Sequence, residues 1–288
     1  MCSFNLGLNL SCNSKIYIKE VKVIIKNNLD RIQEEIIPCI TDFLYQEVTK
    51  RGFKRVIFGL SGGIDSAVVG VLCKKAFPTQ TFAICMPSMR SNKRHFEDAK
   101  ILCDIFQIPY QVKSIQPFEE AYYKENQDAD NLRYGNFCAR IRMSILYDLS
   151  QKLQALVIGT SNYSEILLGY GTLYGDMAYA INPIAPFFKT EIFKLAKMLH
   201  IPDSIISKPP SADLFEGQND ESDLGYSYAK IDQLLWQIDA HYKENYHQID
   251  PMIFIQQGFE EKFVREICLK IQKNTFKSQP PTLFQKIF

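Results

Sequence analysis

The sequence predicts an α/β protein in which a parallel sheet of five strands is flanked by helices. Short runs of β-branched and aromatic residues alternate with helix-length segments, and 46% of the 288 residues are hydrophobic, which is enough for a sizeable core. Strands that alternate with helices pair in parallel because each crossover brings the chain back in the same direction. We therefore expect one domain over residues 16–288.

Five segments are predicted to form the sheet. The runs 55–60, 81–86 and 110–115 are rich in β-branched and aromatic residues and are separated by segments long enough for helices. The run 155–159 (ALVIG) is apolar throughout, as expected of a strand that is buried on both faces. The run 180–184, before Pro186, is predicted as the fifth strand.

Helical patterns predict extensions on both sides of this sheet. Apolar residues recur at helical spacing from 16 to 50, where Pro38 either separates two helices or lies in the first turn of one. The clearest helix is 137–153, in which one face carries Phe137, Ile141, Ile145, Leu149 and Leu153. Further helices are expected at 189–200, 227–242 and 260–273. The acidic stretch 216–223 (EGQNDESD) is expected to be a mobile loop.

Charge and cysteine usage narrow the class of protein. Lys and Arg number 33 against 32 Asp and Glu, so no net field indicates nucleic acid or a membrane surface as a partner. The eight cysteines lie far apart without a CxxC pair, which predicts reduced thiols in a cytoplasmic protein. Residues 1–15 lack the features of a signal peptide, and we expect a loosely ordered extension without a function there.

The segment Gly59 to Ser66 (GLSGGIDS) joins a predicted strand to a predicted helix. Small residues let backbone amides approach an anion, and the start of a helix adds its positive dipole end, so a phosphate is the expected ligand. Asp65 would repel that phosphate unless a cation lay between them, which favours a triphosphate bound to Mg²⁺. The alternative is a tight turn that needs glycine only for its backbone, with Asp65 as the helix cap.

The segment 159–169 (GTSNYSEILLG) also follows a predicted strand, at the edge where parallel sheets bind ligands. Here Thr160 can reach a nucleotide, and Glu165 can supply a second carboxylate to a metal. The alternative is that Asn162 and Glu165, three positions apart, form a helix capping pair.

The SGGxDS letters of the first segment match the phosphate loop of ATP pyrophosphatases, which cleave ATP between the α and β phosphates. Followed by GTxxxxE, they resemble NAD synthetases in particular. Further matches lie in the same order: GNxxAR at 135–140, NPI at 182–184, Lys189, KPPSADL at 208–214, DE at 220–221, LGYxY at 224–228 and Lys277. The resemblance implies an adenine nucleotide alpha hydrolase-like fold and ATP-dependent amidation of deamido-NAD by ammonia through an acyl-adenylate.

The resemblance also implies a role for individual residues. ATP would be held by Gly59, Leu60, Ser61, Gly62, Gly63, Ile64, Asp65, Ser66, Thr160, Lys189 and Ser211. Mg²⁺ would be bound by Asp65 and Glu165, and the catalytic charges would be those of Asp65 and Lys189. Deamido-NAD would contact Arg140 and Lys277, for which the alternative is a solvated surface charge. The resemblance further implies a homodimer.

Two positions depart from the pattern of the family. Leu173 and Ala180 stand where many NAD synthetases have lysine and aspartate, so those two dinucleotide contacts do not transfer to this chain.

Two other functions remain open. One is another ligase of the ATP-pyrophosphatase group, such as a GMP synthetase-like or tRNA-modifying enzyme, although the basic region that tRNA would need is missing. The other is a nucleotide-binding regulatory module without turnover. The chain also offers no residues for a glutamine-hydrolysing domain.

Overall fold

A computed structural model describes residues 35–211, 219–243 and 245–284 of the chain. The predicted extension 1–15 and the first part of the predicted helical lead-in lie outside the described residues. The first half of the fold consists of α1 (Ile36–Lys50), β1 (Val56–Gly59), α2 (Ile64–Ala76), β2 (Thr81–Cys85), α3 (Lys93–Phe106), β3 (Tyr110–Val112), α4 (Gln116–Glu125), α5 (Asn131–Leu153) and β4 (Leu156–Val157). The second half is helical, with α6 (Tyr163–Leu168), α7 (Lys189–Met198), α8 (Asp203–Ile206), α9 (Asp220–Leu224), α10 (Tyr228–Tyr242), α11 (Pro251–Gln256) and α12 (Glu261–Asn274).

The sheet has four parallel strands in the order β3-β2-β1-β4. The prediction of a parallel sheet is confirmed, but the fifth strand at 180–184 is wrong. That segment makes a single parallel bridge, between Ile181 and Ile158, with flanking backbone hydrogen bonds from Ala180 to Val157 and from Gly159 to Ile181. Pro183 lies two residues after Ile181 and has no N–H to extend the ladder, so the pairing stops there.

Apolar side chains project from both faces of the sheet, so the core lies in two layers, one on each side. Within β1, Val56 and Phe58 pack on one face with α1, α2, α3 and α7, whereas Ile57 packs on the opposite face with α5. This alternation is the period of two expected of a strand. Helices therefore cover the sheet on both sides and leave the carboxyl ends of β1, β2 and β4 open at one edge.

The last helices form a third apolar cluster around α6. Leu167 and Leu168 of α6 pack with Ile231 and Leu235 of α10 and with Phe263 of α12. Helix α10 contacts α6 within this cluster and also contacts α7, which packs against the sheet, so the cluster is joined to the sheet through α7. None of the helices in the described part of the chain combines the length and the apolar character needed to cross a membrane.

Several other predictions can be compared with the structure. The helix predicted at 137–153 is present but begins earlier, at Asn131, because the Asp130 side chain accepts the Arg133 amide and caps it. Pro38 lies in the first turn of α1. The prediction of a mobile loop at 216–223 is wrong for 220–223, which belong to α9, and Asn219 caps that helix. Residues 216–218 of this prediction lie outside the described residues. The six cysteines in the described ranges are all free thiols.

Candidate active site

The glycine-rich loop turns the chain from β1 into α2. Gly62 has a φ of +83°, and a Cβ at that position would lie 1.9 Å from the carbonyl oxygen of His95, so only glycine fits. The Ser61 hydroxyl accepts the Gly63 amide at 3.1 Å and lies 3.1 Å from the Ser66 hydroxyl. The loop is therefore a compact turn whose amides and hydroxyls gather at the start of a 13-residue helix.

Asp65 does not cap this helix, so the alternative of a turn capped by Asp65 is wrong. The N-cap of α2 is Gly63, which has no side chain to offer. The two Asp65 carboxylate oxygens instead accept hydrogen bonds from the Asn162 side-chain amide at 2.9 Å and from the Lys189 ammonium at 2.6 Å. Asp65 thus joins the two loops that follow β1 and β4.

Glu165 has two roles at once. It forms the capping box of α6, in which the Asn162 side chain accepts the Glu165 amide at 3.0 Å and Glu165 Oε2 accepts the Asn162 amide at 3.2 Å. The other oxygen, Oε1, lies 3.1 Å from the Lys189 ammonium. The capping pair proposed as the alternative is therefore present, and the same carboxylate faces Asp65 across Lys189.

Burial and charge set the electrostatics of this trio, which we call the Asp65–Lys189–Glu165 cluster. The Lys189 side chain is only 2% exposed. Burial opposes its charge, but the carboxylates of Asp65 and Glu165 outweigh this effect and raise the pKa of Lys189. Burial also raises the pKa of Glu165 to about 8, with Lys189 acting against this change and Asp65 and Asp220 adding to it. The cluster therefore places two carboxyl groups around one ammonium group, and Glu165 gives up its proton less readily than an ordinary glutamate.

The start of α7 fixes Lys189 in place. The Lys189 amide donates to the Ser164 hydroxyl at 2.9 Å, and the Thr190 amide donates to Asp232 Oδ2 at 2.8 Å. The Ser164 hydroxyl in turn donates to Asp232 Oδ1 at 2.6 Å. Ser164 and Asp232 therefore each satisfy one free amide at the start of α7, and Asp232 also holds the Ser164 hydroxyl in place. No sequence pattern points to this residue, because its partners lie 42 and 68 positions away.

A cavity of about 740 Å³ opens at the carboxyl edge of the sheet, beside the cluster. The predicted site residues that line it are Gly59, Leu60, Ser61, Gly63, Asp65, Ser66, Thr160, Glu165, Lys189, Ser211 and Lys277. Gly62 and Ile64 of the loop do not line it, and Ile64 is buried in the core. His95, Asn136 and Thr172 line the cavity and were not singled out from the sequence.

The two residues predicted to hold deamido-NAD lie in different surroundings. The Lys277 ammonium lies at the cavity wall and donates to the carbonyl oxygens of Gly169 and Gly171 at 2.8 and 3.2 Å. Burial lowers its pKa, with Asp176 acting in the opposite direction. Arg140 is exposed and outside the cavity, and its Nε donates to the Leu173 carbonyl at 3.3 Å. Both cations therefore hold the backbone of the 169–175 loop.

The donors around the cluster are compatible with Mg²⁺. No group of three or more His, Cys, Asp or Glu side chains that could form a complete metal site occurs among the described residues. Two partly buried carboxyl groups do converge, however, on either side of Lys189. Mg²⁺ is usually bound by one or two carboxylates together with phosphate oxygens and waters. Asp65 and Glu165 fit this pattern.

These features define a class of protein. A parallel sheet with a glycine-rich loop after β1, and with carboxyl groups beside a cavity of about 740 Å³ at its carboxyl edge, has the features of a nucleotide-binding α/β fold, and its loop carries the SGGxDS letters of the ATP pyrophosphatases. The family model for NAD synthase matches residues 36–281. The chain belongs to the NAD synthase family.

Individual relatives agree with this assignment. An NH(3)-dependent NAD(+) synthetase of Helicobacter pylori (strain P12) is 52% identical over 253 residues, which cover 88% of this chain and 96% of that protein. The structure of the NH3-dependent NAD synthetase of Campylobacter jejuni, in complex with the nitrate ion, is 37% identical with a TM-score of 0.74, covering 88% of this chain and 99% of that one. The structure of an NMN synthetase from Francisella tularensis is 30% identical with a TM-score of 0.77, at the same coverage.

Proposed function

We propose that this protein is an ammonia-dependent NAD synthetase, a ligase that amidates deamido-NAD with ATP and ammonia in the final step of NAD biosynthesis. The observation that carries the proposal is the Asp65–Lys189–Glu165 cluster, which lies at the wall of the cavity beside the glycine-rich loop. The similarity to NH(3)-dependent enzymes over almost their whole length supports the choice of reaction. The relatives reported above include no GMP synthetase-like enzyme, tRNA-modifying enzyme or regulatory module.

The first step activates the nicotinate carboxylate, which is a poor acyl donor because oxide is a poor leaving group. A carboxylate oxygen of deamido-NAD attacks the α phosphorus of ATP, and the bond from that phosphorus to the β-phosphate oxygen breaks. Pyrophosphate leaves towards the amides and hydroxyls of the Gly59 to Ser66 loop. The Lys189 ammonium stabilises the negative charge that develops on the phosphates. Mg²⁺ held by Asp65 and Glu165 would supply charge neutralisation at the same phosphates.

The second step forms the amide. Ammonia attacks the acyl carbon of the adenylate, AMP leaves with the bonding electrons, and the nitrogen loses a proton. No side chain of the enzyme needs to bond to the substrate, so catalysis depends on positioning and electrostatics. Thr160 and Ser211 line the cavity and would hold the nucleotide, while Lys277 and Arg140 would order the 169–175 loop against deamido-NAD.

The proposal extends to the assembly and location of the enzyme. We expect a homodimer, as the family resemblance implies, and a cytoplasmic protein with reduced thiols. Because Leu173 and Ala180 can supply neither the lysine nor the aspartate contact of many relatives, we expect the nicotinate nucleotide to be recognised differently here. Neither nucleic acid nor a membrane is expected as a partner.

Pyrophosphate release is the direct test. The purified protein is incubated with ATP, Mg²⁺, deamido-NAD and ammonium, and both pyrophosphate and NAD are measured. We expect equal amounts of the two products, no reaction when glutamine replaces ammonium in an ammonia-free preparation, and slower turnover of nicotinate mononucleotide. Preferred turnover of the mononucleotide would instead favour the activity named for the Francisella relative. Nucleotide binding without pyrophosphate release would favour the regulatory module.

A further inference from the structure

Lys208 contacts the backbone of the glycine-rich loop at Gly62, which does not line the cavity. Its ammonium donates to the carbonyl oxygen of Gly62 at 2.9 Å and forms an ion pair with Asp98 Oδ2 at 2.7 Å. Asp98 is 4% exposed, and its other oxygen accepts the Ser204 hydroxyl at 2.9 Å. Lys208 is not among the residues that line the cavity. Its ammonium group therefore holds the loop backbone at Gly62 and is itself held by Asp98.

We infer that Lys208 is a positioning residue for ATP, which holds the peptide between Gly62 and Gly63 in the orientation that the phosphates require. In a trans peptide the carbonyl and the N–H point in opposite directions. With the Gly62 carbonyl held by Lys208, the Gly63 N–H points back into the loop, where it donates to the Ser61 hydroxyl. A rotation of this peptide would turn a carbonyl oxygen towards the phosphates and repel them.

The surroundings of Gly62 explain why such an anchor is needed. Both residues of the peptide are glycines, which resist backbone rotation less than any other residue. On one side, Gly62 is packed closely against the carbonyl of His95, at the start of α3. On the other side Lys208 holds its carbonyl, and Asp98, one turn further along α3, holds Lys208. Helix α3 thus fixes the glycine from two directions.

The same contact links the loop to a second part of the cavity wall. Lys208 lies three residues before Ser211, which lines the cavity, in the proline-rich segment that follows α8. Any displacement of this segment changes the hold on the Gly62 carbonyl. We therefore expect the loss of Lys208 to weaken the binding of ATP and to leave the KM of ammonium unchanged.

Three variants separate positioning from stability. Lys208→Met removes the hydrogen bond to Gly62 but also leaves Asp98 buried without its cation, which destabilises the fold. Lys208→Met combined with Asp98→Asn removes that unpaired charge, and the asparagine oxygen can still accept the Ser204 hydroxyl. Lys230→Met is the matched control, because Lys230 forms a surface ion pair with Glu260 at 2.7 Å, away from the cavity.

The measurements are the Kd of MgATP by calorimetry, the KM values of ATP and ammonium, and the melting temperature. We expect both Lys208 variants to bind MgATP about 10- to 100-fold more weakly, the loss typical of a hydrogen bond to a charged group, with the KM of ammonium unchanged. The double variant should regain most of the melting temperature but none of the ATP affinity. The inference would be overturned if the double variant regained its ATP affinity together with its melting temperature, or if it bound MgATP within about twofold of the wild type.

The inference rests on ATP binding as part of the proposed function, but different results would refute the proposed reaction and the role of Lys208. If the wild type bound MgATP yet made no NAD, the proposed reaction would be wrong and the comparison of ATP affinities would still decide the role of Lys208. If the wild type made NAD and the double variant bound MgATP like the Lys230→Met control, the role of Lys208 would be wrong alone.

Discussion

Replacing Glu165 with glutamine separates the two roles that its carboxylate plays. Glutamine keeps an oxygen that can accept the Asn162 amide, which completes the capping box as well as glutamate does. It removes the negative charge that faces Lys189 and, in the proposed mechanism, Mg²⁺. The variant therefore changes the charge of the cluster while leaving the start of α6 intact.

The expected magnitudes follow from these contacts. Loss of one preorganised charge in a water-poor site typically lowers turnover about 100- to 1,000-fold. The melting temperature should not fall, because burial and Asp65 raise the pKa of Glu165 to about 8, which means that its charged form is unfavourable in the folded state. Glu165→Ala also loses the capping contact and leaves the Asn162 amide unsatisfied. This loss should lower the free energy of unfolding by about a further 1–3 kcal/mol. Each kcal/mol should lower the melting temperature by roughly 2–4 °C.

Glu191→Gln provides the control. Glu191 accepts the Phe188 amide at 2.8 Å at the start of α7, the same contact that Glu165 makes at α6, but it does not line the cavity. We expect wild-type turnover for this variant in the pyrophosphate assay. If Glu165→Gln also kept wild-type turnover while Glu165→Ala lost it in proportion to its stability, Glu165 would be only a capping residue and the metal assignment would be refuted.

Three further predictions concern the loop and the assembly. Asp65→Asn should leave the fold intact but abolish most pyrophosphate release, since the loop amides remain and the carboxylate between Asn162 and Lys189 is lost; unchanged turnover at limiting Mg²⁺ would contradict this. Gly62→Ala should express poorly or lose ATP binding, because its Cβ would lie 1.9 Å from the His95 oxygen, and normal calorimetric affinity would argue against the packing described. Light scattering of an active sample should give the mass of a dimer, and a monomer mass at all concentrations would exclude it.

The sequence predicted those parts of the fold that depend on local pattern. The runs of β-branched residues located four strands, and the spacing of apolar residues located α5, α7, α10 and α12. The fifth strand failed because the run at 180–184 has the composition of a strand but contains Pro183, which cannot donate to a ladder. The proline at 183, taken together with the one at 186, would have indicated the short pairing.

The site was predictable only where the chain order places residues at the same edge of the sheet. Asp65 and Glu165 both follow strands of a parallel sheet, so their approach follows from topology, and the cluster confirms that they converge. Asp232 and Lys208 reach the site from the helical half of the chain and act on backbone groups. A hydrogen bond from a side chain to a backbone group far away in the chain has no sequence pattern, because every residue offers the same backbone partner.

The pair Asn162 and Glu165 shows why two interpretations of a motif need not compete. A carboxylate has two oxygens, so one can accept a backbone amide at a helix start while the other accepts the Lys189 ammonium. The capping contact also fixes the rotamer of Glu165, so the free oxygen is already directed at Lys189 before any substrate binds. Catalytic charges are most effective when they need no reorganisation during the reaction. The capping box is therefore a reason to expect a functional role for this glutamate as well as an alternative to one.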